Sequence, residues 1–293
     1  SGVVEACGEG VTRVKPGDRV AGAPLLPCMR CEDCLQGQYA LCKQYSFIGS
    51  RSQGSFAELV AMPETNAMPF DPSISFTQGA LFEPATVALH GILISGQPGG
   101  QTVAVLGGGT IGLFALQWAK ILGARRVVVF DLDPDRLVLA QALGADAVVC
   151  TAEADYEEKA MALTNGKGYE TVLETSGAEA TLLMAYRLAA NKARACMIGT
   201  PHTDVRFSPK TWELLNRKEM RLTGSWMSYS APFPGKEWSL TAHYFKTGQL
   251  KYDPRMIFLS FPLSQAAQAF ALFKKPGYVK GRILLVNDSL PDD

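Results

Sequence analysis

The sequence lacks any uninterrupted apolar run long enough to span a bilayer, any excess of charge and all but a trace of histidine. Each absence excludes something. Its 28 basic and 28 acidic side chains cancel, which argues against nucleic acid or an anionic membrane surface as a partner. The 3 histidines, His90, His202 and His243, show no ligand spacing to one another, so a histidine-built metal site is not expected within the sequence. Ser1-Gly2-Val3-Val4-Glu5 has neither the basic start nor the apolar centre of a signal peptide, and a cytoplasmic protein is expected. The opening also lacks methionine and falls within what reads as a strand, Val3 to Ala6, as if the chain were cut there. What remains, 293 residues at 47% hydrophobic, is enough to bury two substantial cores.

Cysteine is where the composition concentrates. Cys28, Cys31, Cys34 and Cys42 follow the order C-x2-C-x2-C-x7-C, which brings four thiolates within reach of one tetrahedral zinc. Two short links present three sulfurs, and the span through Gly37 brings the fourth round. Four protein ligands leave no open position, so the expected metal is structural. Recognition of nucleic acid by this lobe would need basic clustering that it does not have.

The residues around the cysteines read as β-rich. Lys15 to Val20 is turn chemistry feeding a strand, and Gly54 to Ala61 alternates as another strand would. From about Thr102 short apolar runs alternate with helical stretches, the mark of βαβ units and a parallel sheet. Predicted strands are Val103–Leu106, Arg126–Asp131, Ala147–Cys150, Thr171–Glu174, Ala195–Gly199 and Leu222–Ser225, a full dinucleotide-binding fold.

The turn after the first of these strands is Gly107-Gly108-Gly109-Thr110-Ile111-Gly112, which fits G-x-G-x-x-G. It opens a helix, Leu113 to Leu122, that Gly123 is placed to cap. Gly107 serves the tight turn, Gly109 the close approach of backbone to a pyrophosphate, and Gly112 the packing of helix on strand. Asp131, ending the next strand, suits both ribose hydroxyls and repels a 2′-phosphate, so NAD is expected rather than NADP. Asp133, ahead of Pro134, is the better helix cap. Arg136 either lies over the adenine or faces solvent.

A cysteine lobe ahead of a dinucleotide fold resembles the zinc-dependent medium-chain alcohol and polyol dehydrogenases over the whole chain. Pro24-Leu25-Leu26-Pro27-Cys28, Phe47-Ile48-Gly49-Ser50-Arg51, Phe82-Glu83-Pro84 with Thr86-Val87 and Leu89-His90, and above all Gly224 through Trp238, resemble members that act on polyol phosphates. The resemblance implies a GroES-like catalytic domain at 1–89 and 253–293, and a Rossmann NAD domain at 90–252. It implies hydride transfer from a secondary alcohol to NAD, galactitol 1-phosphate giving tagatose 6-phosphate, in a homodimer or homotetramer. Another polyol, as in a sorbitol dehydrogenase, or threonine is the alternative substrate; a catalytically silent NAD- and zinc-binding fragment or sensor is the other reading.

The family also has a second, catalytic zinc, held by an upstream cysteine, a Gly-His-Glu segment and the glutamate of a Glu-Pro motif. Only the last is matched, as Glu83, which is then a direct or exchanging ligand or a buried hinge charge. Ser50 and Arg51 supply donors that suit a substrate phosphate, or Arg51 is a solvated ion-pair partner in its loop. Ser225, Trp226, Met227 and Tyr229, past the sixth strand, line the cleft or pack on a partner subunit. Thr200 neighbours the nicotinamide or is simply exposed, and Arg282 reaches the pyrophosphate or stays at the surface.

Overall fold

The computed structural model describes residues 1–96, 98–275 and 277–287. The chain forms two compact units, one from Ser1–Thr86 together with the chain from Ser228 on, the other from Val87–Met227. The return to the first unit thus comes at Ser228, well before the expected return near Asp253. Side chains account for the difference. Ser228 Oγ meets Thr86 Oγ1 at 2.7 Å, Tyr229 accepts the Leu25 N–H at 3.1 Å, and Phe245 stacks on Phe82 at 5.6 Å. All three tie the segment to the first unit, and sequence periodicity does not carry such tertiary contacts. Residues 288–293 of the expected catalytic domain lie outside the described residues.

The first unit begins with β1 (Gly2–Val3), β2 (Arg19–Gly22), β3 (Leu25–Leu26), β4 (Ser46–Phe47) and β5 (Ala67–Pro69). They make a three-stranded antiparallel sheet in the order β1-β2-β5 and a β3-β4 pair. Buried Asn66 holds the bend between β2 and β3, its Nδ2 donating to the carbonyls of Ala23 and Leu25 at 2.6 Å each. Gly54 to Ala61 is irregular rather than the expected strand, with Phe56 64% and Leu59 72% exposed. Alternation alone does not make a strand; a ladder partner is needed, and none of the described strands pairs with this segment.

The second unit is one parallel sheet: β6 (Thr102–Leu106), β7 (Arg126–Asp131), β8 (Ala147–Cys150), β9 (Tyr169–Glu174), β10 (Ala189–Met197) and β11 (Arg221–Gly224), in the order β11-β10-β9-β6-β7-β8. Every residue of β6 is buried, as befits a central strand covered on both faces. Phe130, Tyr169 and Tyr186 fill one side and Trp118 is fully enclosed. Each such aromatic contributes about 2–3 kcal/mol when withdrawn from water. The predicted ends of β6 to β9 and β11 hold to within two residues, whereas β10 starts earlier than its predicted start at Ala195, with a register shift between Ala189 and Arg194. The strand order reverses between β6 and β9, and that switch opens a crevice at the carboxyl edge of the sheet.

β12 (Ile257–Pro262) and β13 (Arg282–Val286) form a parallel pair in the first unit. Among the described residues no helix is long and apolar enough to cross a membrane.

Candidate cofactor and metal sites

The four lobe cysteines converge. Cys28, Cys31, Cys34 and Cys42 offer sulfurs that all lie within 4.8 Å of one another, the only such metal-ligand group among the described residues. All are thiols rather than disulfides. The backbone shapes the lobe: Met29 takes φ 59°, Gly37 φ 77°, and the Cys31 N–H points at Cys28 Sγ from 3.3 Å. The N–H of Arg30 draws the Cys28 thiol down to about 6, while desolvation pushes Cys34 up to about 12. Zinc supplies the missing drive, because a coordinating thiol is deprotonated outright. The donor set, sulfur only and closed at four, fits a structural zinc. The lobe also packs: Tyr39 meets Phe233 edge-on at 5.3 Å, and a Cβ on Gly37 would come within 2.7 Å of the Ala231 Cβ.

In the second unit the glycine-rich turn follows β6. Gly107 has φ 105° and donates to the Phe130 carbonyl at 2.8 Å. Gly109 is the N-cap of the helix Thr110–Ile121, which starts earlier than its sequence periodicity indicates and has Thr110 and Ile111 in its first turn. A Cβ on Gly112 would collide with the Gly107 carbonyl, whereas one on Gly109 would meet nothing within 4 Å. The first glycine position keeps helix and turn together; the second leaves a backbone cradle open to a ligand. The helix N-terminus there favours phosphate charge.

Asp131, 7% exposed at the end of β7, is bound to that turn. Its Oδ2 accepts the Gly108 N–H at 2.7 Å, and its Oδ1 the Asp133 N–H at 2.8 Å. Arg136 Nη1 stands 3.6 Å from Asp131 Oδ2, so the arginine turns to the carboxylate and not simply to solvent. Asp133 caps the next helix through the Asp135 N–H at 3.0 Å, with Pro134 in the first turn. Arg136 Nε, Glu174 Oε2 and Ser225 Oγ are buried without hydrogen-bond partners; Glu174 ends β9, Ser225 follows β11, and Arg136 stands in the first turn of the helix after β7. Open cradle, fixed ribose-side carboxylate and orphan polar atoms together fit a dinucleotide.

The other candidates divide between the units. Glu83 sits in the first turn of the helix Phe82–Ser95; desolvation raises its carboxyl and the charge of Arg282 opposes that rise. Among the described residues Glu83 belongs to no group of three or more metal-ligating side chains, so these residues do not by themselves fit a second bound zinc. Arg282, exposed at the start of β13, belongs to the first unit and faces Glu83 electrostatically. Arg51 lies 3.9 Å above the Tyr45 ring and donates to the Tyr45 carbonyl at 3.2 Å, leaving other guanidinium donors outward; Ser50 is exposed beside it.

Tyr229, expected to line the cleft or to pack on a partner subunit, is instead enclosed by its own chain: it is 4% exposed, stacked on Phe233 at 5.6 Å and Trp238 at 6.0 Å. Its aromatic neighbours are local in sequence but their stacking is a tertiary outcome. Ser225, Trp226 and Met227 fall in the second unit, with Trp226 half exposed and Met227 at φ 60°. Thr200 is exposed past β10 and backs onto Gly177.

Sequence reasoning missed the rim of the crevice. Thr175 Oγ1 donates to the carbonyls of Leu106 and Gly107 at 3.0 and 3.1 Å, tying the turn after β9 to the glycine turn. The available signal was a glycine following each strand, Gly177 and Gly199.

The chain matches the zinc-binding dehydrogenase family over residues 110–242 and the alcohol dehydrogenase GroES-like domain over residues 1–72. It belongs to the zinc-dependent medium-chain dehydrogenases, oxidoreductases that join a GroES-like and a Rossmann-type fold. It is 36% identical to galactitol 1-phosphate 5-dehydrogenase of Escherichia coli (strain K12), over 95% of this chain and 81% of that protein. A crystal structure of galactitol-1-phosphate dehydrogenase from Escherichia coli superimposes with TM-score 0.90 at 35% identity, over 97% of this chain and 82% of that one. L-threonine 3-dehydrogenase of Bacillus velezensis (strain DSM 23117 / BGSC 10A6 / LMG 26770 / FZB42) is 32% identical, over 98% of this chain and 80% of that protein. A zinc-binding dehydrogenase of Sinorhizobium meliloti 1021, solved bound to NADP, gives TM-score 0.84 at 30% identity, over 97% of this chain and 81% of that one.

Proposed function

We propose that this dehydrogenase uses NAD to oxidise a polyol phosphate, galactitol 1-phosphate to tagatose 6-phosphate. The observation that carries the cofactor half is Asp131, a carboxylate hydrogen-bonded into the glycine turn where an adenosine ribose would lie. A 2′-phosphate there would meet like charge, which favours NAD. Arg136 offers donors to the same ribose. When bound, the nicotinamide supplies the hydride acceptor. This chain's residues bind and orient: the turn at Gly107–Gly112 holds phosphate, and Thr200 stands past β10 on the opposite side of β6 from Asp131. Ser225, Trp226 and Met227 are candidates for substrate contact.

The substrate class rests on the likeness to galactitol 1-phosphate 5-dehydrogenase and on Arg51, whose guanidinium is held in place by Tyr45 and retains free donors. A phosphate dianion suits that fork by charge-assisted hydrogen bonds, typically about 1.5–3 kcal/mol each. Calorimetric titration of residues 1–293, saturated with NADH, is the test. Galactitol 1-phosphate is expected to bind, and Arg51→Ala to weaken it by roughly tenfold or more, with unphosphorylated galactitol changed less than twofold. Equal losses for both ligands would assign Arg51 to folding instead.

A further inference from the structure

One buried carboxylate ties the loop after β9 together and abuts the loop after β10. Glu174 ends β9 and is fully buried. Its Oε1 accepts the N–H groups of Ser176 and Gly177 at 2.9 Å each, and the hydroxyls of Ser176 and Thr181 at 3.1 and 2.8 Å. Its main-chain carbonyl accepts the N–H groups of Ile198 and Gly199, just past β10, at 2.8 and 3.0 Å. The second carboxyl oxygen, Oε2, has no partner and lies against Gly199, where a Cβ would come within 2.8 Å of it. Gly177, at φ 70°, backs onto Thr200; a Cβ there would fall 2.7 Å from the Thr200 carbonyl carbon. Between the loops after β9 and β10, the side-chain contact is thus Glu174 Oε2 against Gly199, and the backbone contact is Gly177 against Thr200.

Turn capping alone does not explain this choice. An asparagine or serine caps a turn without burying a carboxylate, and a buried carboxylate with one oxygen unpartnered is costly. Such costs persist where function requires a fixed geometry. Topology indicates which geometry. Asp131 marks the adenosine side, after β7, and the glycine turn after β6 faces the pyrophosphate. The other half of a dinucleotide then lies across the switch point, over β9 and β10.

We propose that Glu174 is a positioning residue for the nicotinamide half of the cofactor, holding the two loops at the separation that half requires and leaving adenosine binding untouched. The proposal rests on the dinucleotide reading of the crevice. Residues 1–293 are titrated with NADH and with ADP-ribose, which keeps the adenosine and both phosphates but lacks nicotinamide. Glu174→Ala is expected to raise the NADH Kd about tenfold or more and to change that of ADP-ribose less than about twofold. Glu174→Gln keeps one carbonyl acceptor for the turn and is expected to recover most of the NADH affinity. Should Glu174→Ala fail to fold, Gly177→Ala asks the same question with the carboxylate intact, because its Cβ forces the loops apart; the same nicotinamide-selective loss is expected. Equal weakening of both ligands, or unchanged NADH binding in the folded variants, overturns the proposal. Failure of the unaltered chain to bind either ligand overturns the dinucleotide reading, and the proposal with it.

Discussion

Gly112→Ala is expected to weaken NADH binding by residues 1–293 up to roughly a hundredfold while leaving their zinc content unchanged. The added Cβ meets the Gly107 carbonyl and lies 2.9 Å from Thr175 Oγ1, so main chain blocks it on one side and a bonded hydroxyl on the other. Neither neighbour is the free end of a flexible side chain. Overpacking of this kind costs about 1–3 kcal/mol. Here the cost falls on the turn that would cradle the pyrophosphate, and the upper end of that range is roughly a hundredfold in Kd. Fluorescence titration with NADH measures it. Zinc content is the control, since the cysteine lobe belongs to the other unit. Wild-type affinity in a folded Gly112→Ala protein would mean that this turn does not hold the cofactor.

Cys31→Ser carries the second large effect, and it falls on the first unit. A closed four-thiolate site loses a quarter of its donor set, and structural zinc binding is worth about 10–16 kcal/mol in small metal-folded peptides. Bound zinc is expected to fall from about one per chain to a small fraction, with cleavage by a protease appearing between Cys28 and Cys42. Loss of the lobe also removes the support it gives through Tyr39 and Gly37 to Phe233 and Ala231, so the melting temperature should fall. NADH affinity is expected to persist. Unchanged protease resistance would show that the lobe folds without metal.

What was legible in the sequence was local. Cysteine spacing within one loop and glycine spacing within one turn are set by short-range geometry, and the structure brings each group together. Strands β6 and β7 were legible for a different reason: buried on both faces, they read as continuous apolar runs between turn residues. The misreadings are tertiary. Gly54 to Ala61 alternates correctly yet has no described strand to pair with, and Tyr229 looks like a cleft residue until Phe233 and Trp238 enclose it. The early return at Ser228 depends on Thr86, Leu25 and Phe82, all far away in sequence. Glu174 was invisible because, unlike Asp131, it has no glycine-rich turn at a fixed spacing to mark it; only its four hydrogen-bond donors at one oxygen distinguish it.

The most direct test of the cofactor assignment is parallel titration of residues 1–293 with NADH and NADPH, in the unaltered chain and in Asp131→Ala. Asp131 presents its carboxylate at the glycine turn, and repulsion of a 2′-phosphate should make NADH the tighter ligand by about tenfold or more, a difference of about 1.4 kcal/mol. Asp131→Ala should weaken NADH and bring the two affinities together, since it removes both the ribose acceptor and the repulsion. Equal affinity of the unaltered protein for the two nucleotides, or tighter binding of NADPH, would contradict the assignment of NAD to this site.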